Sequence, residues 1–129
     1  MKLLLDTHIW IWSVSTVTQL SRGVQQELSD PNNEVWLSPI SLWEALLLQA
    51  KDRIELPSNS PEWLVRAALL FREAPLTHEI VAAARQLPFD HGDPADRFLA
   101  ATARVLGLTL VTADRRLLGL GAIATLANR

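Results

Sequence analysis

The 129-residue chain contains no cysteine. Disulfides, thiolate zinc sites and cysteine nucleophiles are therefore excluded together. Long hydrophobic runs are missing too: none approaches the roughly 18 consecutive apolar residues that a membrane span needs. The apolar start, MKLLLDTHIWIW, is broken by Asp6 and His8 and lacks a clean small-residue cleavage site, so it does not read as a signal peptide. A cytoplasmic protein is the expectation. Positive charge is also scarce. The formal net charge is -2, whereas dedicated nucleic-acid binders are usually basic. This argues against a broad non-specific binding surface. It argues less against a phosphate site, where bound metal cations supply the positive charge. Any nucleic-acid path is then a local patch, with Lys51, Arg53, Arg97, Arg104, Arg115 and Arg116 as candidates. No G-x-S-x-G elbow, Walker loop or G-x-G-x-x-G fingerprint occurs, so serine hydrolases and nucleotide-binding folds have no support. His8, His78 and His91 show no metal-ligand spacing to one another; for His8 and His91 a place at the rim of a site stands beside a plain surface or capping role.

What is present is ordinary globular material, 49% hydrophobic and 20% charged, at a length typical of one domain. No repeat or linker divides it, so a single domain over residues 1–129 is expected. Strands and helices alternate. Lys2 to Leu5 reads as a buried strand and Val17 to Leu28 has helical spacing. Glu34 to Leu37 is a second strand; Ser38 and Pro39 then cap and start a helix to about Lys51. Further helices are expected over Pro61 to Glu73, from Thr77 to about Leu87, and from Asp93-Pro94 to Leu106, where Gly107 stops the last. Pro75 to Thr77 reads as a short strand or link, Leu108 to Val111 as a strand, Ala113 to Leu118 as a short helix, and Ala122 to Ala124 as a last strand. Pro57 to Pro61 and Pro88 to Asp93 read as loops. Such βα alternation implies an α/β fold with a mostly parallel sheet covered by helices. In those folds sites form beyond the carboxyl ends of the strands.

Acidic residues stand at those ends. Asp6 follows the first strand and Asp114 the late one; both positions also suit a helix cap or first turn. Asp93 and Asp96 open one helix as D-P-A-D, where Asp93 is a natural N-cap. Glu44 is more informative. From Pro39 to Ala50 the other polar residues are Ser41 and Gln49, and Glu44 has no cation three or four positions on. A carboxylate against apolar faces needs a cation, a metal or a proton. The competing explanation is a capping pair with Ser38 or Ser41. Convergence of four carboxylates would raise at least one pKa. A hard divalent ion removes that conflict and suits phosphodiester hydrolysis.

Four blocks, LLLDTHIWIW, LSPISLWEALLLQAK, DPADRFLAATARVLG and LTLVTADRRL, occur in that order over nearly the whole chain. Together they closely resemble PIN-domain proteins, and among these the VapC-type toxins of bacterial toxin–antitoxin pairs. The resemblance implies a three-layer α/β/α sandwich and an endoribonuclease dependent on Mg²⁺ or Mn²⁺, leaving 5′-phosphate and 3′-hydroxyl ends. Matched motif by motif, it implies catalytic and metal-binding roles for Asp6, Glu44, Asp96 and Asp114. Asp93 is an additional acid for the metal or for capping, and Thr112 a supporting hydroxyl. Arg97, Arg115 and Arg116 are the RNA-binding candidates nearest these motifs. A homodimer is implied, as is a small VapB-like antitoxin whose C-terminal segment covers the active-site groove. Five tryptophans exceed what a small core usually holds; some suit a partner groove, while Trp36 and Trp43 are expected in the core. Two other readings stand beside this one. A binding module on the same fold would have no need of the full acidic set. A phosphatase of the haloacid-dehalogenase kind needs a second aspartate two positions after the first, where this chain has His8.

Overall fold

The computed structural model describes residues 1–88 and 93–129. His91 and most of the expected loop from Pro88 to Asp93 lie outside them. The described chain builds a five-stranded parallel sheet in the order β3-β2-β1-β4-β5. Its strands are β1 (Lys2–Leu5), β2 (Glu34–Leu37), β3 (Arg72–Glu73), β4 (Thr109–Thr112) and β5 (Thr125–Ala127). The helices are α1 (Thr7–Ser15), α2 (Arg22–Ser29), α3 (Pro39–Ala50), α4 (Pro61–Ala68), α5 (His78–Gln86), α6 (Pro94–Leu106) and α7 (Arg115–Leu118).

The layering follows from the two-residue period of a strand. Leu3, Leu4 and Leu5 are all fully buried, as a central parallel strand requires. Leu3 and Leu5 face one way and join Val111, Ile9, Trp10, Val24, Ala45 and Leu64. Leu4 faces the other way and joins Leu110, Ile80, Ala84, Leu99 and Leu117. One core therefore lies under α1 to α4 and the other under α5 to α7. This is the α/β/α sandwich expected, and each fully buried leucine contributes about 2 kcal/mol. The strand order reverses beside β1, whose neighbours are β2 on one side and β4 on the other. That reversal leaves a crevice at the carboxyl ends of β1 and β4.

Several elements differ from the sequence reading, each for a local reason. The helix expected over Val17 to Leu28 is interrupted. A 3₁₀ turn at Val17–Gln19 ends in extended Leu20, and Ser21 caps a new helix by accepting from the Val24 N–H at 3.2 Å. The helix expected to reach Glu73 stops at Ala68. Arg72 and Glu73 instead pair with Trp36 and Leu37 as an edge strand, so the strand expected at Pro75 to Thr77 lies earlier. Two exposed residues carry no periodicity that a sequence reading can detect. The last strand falls at Thr125–Ala127, three residues beyond the expected span, set by pairing of Leu110 with Thr125. Helix α1, which the sequence signals only through the capping position of Asp6, runs for nine residues. Trp36 packs against the core as expected, but Trp43 is 58% exposed. The buried stripe of α3 runs through Ser41 and Ala45, and position 43 is on the opposite side of a 3.6-residue turn.

Candidate active site

Each acidic residue reaches the crevice through an element whose geometry is dictated locally. Asp6 ends β1, with its N–H bonded to the Val111 carbonyl at 3.0 Å. Its Oδ1 accepts from the Thr7 N–H at 2.8 Å, which caps α1. Its Oδ2 accepts from the Thr112 hydroxyl at 2.6 Å. The same buried hydroxyl accepts from the Asp114 N–H at 3.0 Å. One threonine thus holds together the ends of the two central strands. Asp114 caps α7 by accepting from the Arg116 N–H at 2.9 Å, and pairs with the Arg116 guanidinium at 3.3 Å. Asp93 caps α6 through the Ala95 N–H at 3.0 Å. Asp96 is in the first turn of that helix and is only 6% exposed.

Glu44 extends from the middle of α3, partly buried. Neither serine suggested as its capping partner bonds it. Ser38 accepts from the Ile40 N–H at 3.1 Å. Glu44 instead accepts from the Thr7 hydroxyl of α1, and the Ser41 oxygen lies 3.2 Å from that hydroxyl. Thr7 and Ser41 are both buried. The sequence signal for Thr7 was present: a hydroxyl directly after Asp6, at the first helical position, directed to the same end of the sheet.

The result is a groove of about 440 Å³ lined by Asp6, His8, Trp12, Glu44, Asp93, Asp96, Ala113, Asp114 and Arg116. Among the described residues, five carboxylates face one guanidinium there. The electrostatic consequence is plain. Burial, then Asp93, Asp6, Asp114 and Glu44, push the Asp96 carboxyl up to about 8. Burial also raises Asp6, against the Thr112 and Thr7 hydrogen bonds. Glu44 is raised by burial, against its bond from Thr7.

The donor set suits a hard divalent cation, since the acidic groups offer oxygen ligands and their mutual repulsion raises the Asp96 carboxyl. Among the described residues no three acidic or histidine groups stand pre-gathered as a cage. Mg²⁺ does not need one: it keeps several waters and takes one or two carboxylates directly. Asp6, Asp96, Asp114 and Glu44, with Asp93 beside them, are the residues that would hold it.

Residues 3–122 match the PIN domain family. The chain belongs to the PIN-domain family. It is 36% identical over 115 residues to Ribonuclease VapC22 of Mycobacterium tuberculosis, covering 88% of each chain. Among solved structures it resembles VapBC2 from Rickettsia felis bound to a promoter DNA fragment. There the TM-score is 0.72 and the identity 18%, over 98% of each chain. It also resembles VapC20 of Mycobacterium tuberculosis, a toxin that cleaves the sarcin–ricin loop. That match has a TM-score of 0.65 and 18% identity, over 94% of this chain and 96% of that one.

Within this PIN domain the expected cations divide. Arg116 lines the groove. Arg97 instead donates to the Ala84 carbonyl at 3.0 Å and ties α6 to α5. Arg115 is exposed but absent from the lining residues, as are Lys51, Arg53 and Arg104. His8 reaches the groove; His78 opens α5 and does not line it. The sequence reading passed over Thr7 and did not distinguish Trp12 from the other tryptophans. No helix among the described residues is long and apolar enough to cross a membrane.

Proposed function

We propose that this PIN domain is a divalent-metal-dependent endoribonuclease and the toxin of a VapBC-type pair, acting in the cytoplasm. The observation that carries the reading is the groove itself: five carboxylates from four parts of the chain line the crevice at the switch point of the sheet. Asp6, Asp96, Asp114 and Glu44 hold Mg²⁺ or Mn²⁺, with Asp93 in support. Such an ion supplies Lewis acidity, lowering the pKa of water and taking up charge on the phosphate. The chain's own groups do the positioning. Thr112 fixes Asp6 and the backbone of Asp114 in one geometry. Thr7 orients Glu44 from the neighbouring helix. Arg116 brings a mobile positive charge to an RNA phosphate, since an exposed ion pair with Asp114 costs little to exchange. Cleavage leaves a 5′-phosphate and a 3′-hydroxyl. Incubation with single-stranded RNA is expected to give Mg²⁺- or Mn²⁺-dependent cuts that excess EDTA stops, with the ends read by phosphatase sensitivity. Cleavage that persists in EDTA would overturn the metal dependence.

The reading includes an antitoxin partner and a homodimer. Val65, Leu69 and Leu70 at the end of α4 are exposed, the last two by 78% and 77%. Large apolar side chains so exposed mark interaction surfaces. Leu69→Asp with Leu70→Asp is expected to weaken the antitoxin complex at least ~10-fold while RNA cleavage continues. Co-purification with the product of an adjacent small reading frame, followed by an RNA assay, measures both. An unchanged complex would place the antitoxin elsewhere.

A further inference from the structure

The groove has one feature that ion binding does not use. His8 and Trp12 lie one turn apart on α1, and both rings line the groove beside the carboxylates. Their centroids are 5.7 Å apart with a tilt of 54°, so they form two walls of a notch rather than a flat shelf. Trp12 is partly buried and packs against the core of Leu3, Leu5 and Ile9, which fixes its position. His8 is exposed. Simple core filling asks only for apolar bulk at position 12. An indole face is also a poor neighbour for carboxylates and a poor receptor for phosphate, because its π-cloud is electron-rich. A neutral planar ligand is what suits it.

We propose that Trp12, flanked by His8, is a stacking site for one unpaired nucleobase of the RNA, beside the acidic cluster. The assignment rests on the ribonuclease reading and deepens it. The groove divides a nucleotide between two chemistries: the carboxylates, which would hold the ion, face the phosphate, and the aromatic notch takes the base. Aromatic stacking tolerates any base but needs its face exposed. A base inside a duplex is already stacked, so the nucleotide must be unpaired.

The test uses the full chain and a short fluorescein-labelled single-stranded RNA, with an abasic nucleotide placed at each position in turn. Trp12→Leu keeps apolar packing but removes the stacking face. It is expected to raise KM roughly tenfold, with the effect in KM rather than kcat. Trp12→Phe is expected to recover most of the loss. His8→Ala, at an exposed position, is expected to lose a few-fold. One abasic position is expected to weaken wild type by about the Trp12→Leu factor and to add nothing to that variant. The same comparison by fluorescence anisotropy in Ca²⁺ reads binding without requiring turnover. If wild type binds with this pattern but cleaves no RNA, the nuclease reading fails and the stacking site stands. If Trp12→Leu binds and cleaves like wild type, or the abasic penalty is equal in both proteins, the stacking site is overturned. The same holds if wild type binds no RNA.

Discussion

Replacing Asp96 by asparagine is expected to remove divalent-dependent RNA cleavage while making the ion-free protein more stable. The two effects have one cause. Asp96 is almost fully buried in the first turn of α6, among four other carboxylates. Its pKa near 8 means that the ion-free protein carries this carboxyl protonated at neutral pH. The unfolded chain ionises it near 3.8, so folding at pH 7 must take up a proton. Asparagine is neutral and nearly the same shape, so it reproduces the protonated side chain and removes the uptake. At roughly 1.4 kcal/mol per pH unit above 3.8, a gain of up to about 4 kcal/mol is expected at pH 7, and a rise in melting temperature of more than roughly 10 °C. Activity falls because asparagine offers the ion no charge. Loss of a preorganised charge-stabilising group costs at least ~10²–10³-fold in turnover. Thermal melts in EDTA and RNA cleavage in Mg²⁺ measure the two sides. An active Asp96→Asn protein, or one that melts below wild type in EDTA, would sink this account of the site.

The same trade explains why the sequence showed some of the site and hid the rest. Asp6, Asp93 and Asp114 each had a bland explanation as helix caps, and each is a cap. The alternatives were never exclusive. Capping engages one carboxylate oxygen with a backbone N–H, and it holds the side chain at the strand-to-helix junction where the crevice opens. Local sequence therefore contained both roles without separating them. Glu44 was legible because its own helix offered no partner. What supplied one, Thr7, is separated from it by more than thirty residues, and only the packing of α1 on α3 brings them together. Helices with strong caps, such as Pro39–Ala50 and Pro94–Leu106, began where Ser38 and Asp93 placed them. The edge strands β3 and β5 were misplaced, because their positions come from hydrogen bonds to β2 and β4 rather than from their own residues. Arg97 and Arg116 looked alike as cations near the motifs. Helical rotation separates them, turning Arg97 towards α5 and leaving Arg116 in the groove.

If the groove holds a divalent ion, proton and ion must compete for the same oxygens, and stability should show it as a function of pH. Asp96 has a folded pKa of about 8 against 3.8 for a free aspartate, and burial raises Asp6 and Glu44 in the same direction. Between those limits the folded state binds more protons than the unfolded state, so stability falls as pH rises. For Asp96 the penalty is absent below about pH 4 and complete above about pH 8, at up to roughly 1.4 kcal/mol per pH unit, and Asp6 and Glu44 add to it in the same direction. The ion-free protein is therefore expected to lose melting temperature steadily from pH 5 to pH 8, against the usual pattern for paired surface carboxylates. Mg²⁺ or Mn²⁺ should reverse this. It stabilises by binding the folded state, weakly at pH 5, where protons occupy the site, and strongly at pH 8, where they have left. The ion-induced rise in melting temperature should grow several-fold over that span. Asp96→Asn should flatten both curves, which separates the groove from the other titrating groups of the chain. Parallel wild-type curves with and without the ion would show that these carboxylates do not form its site.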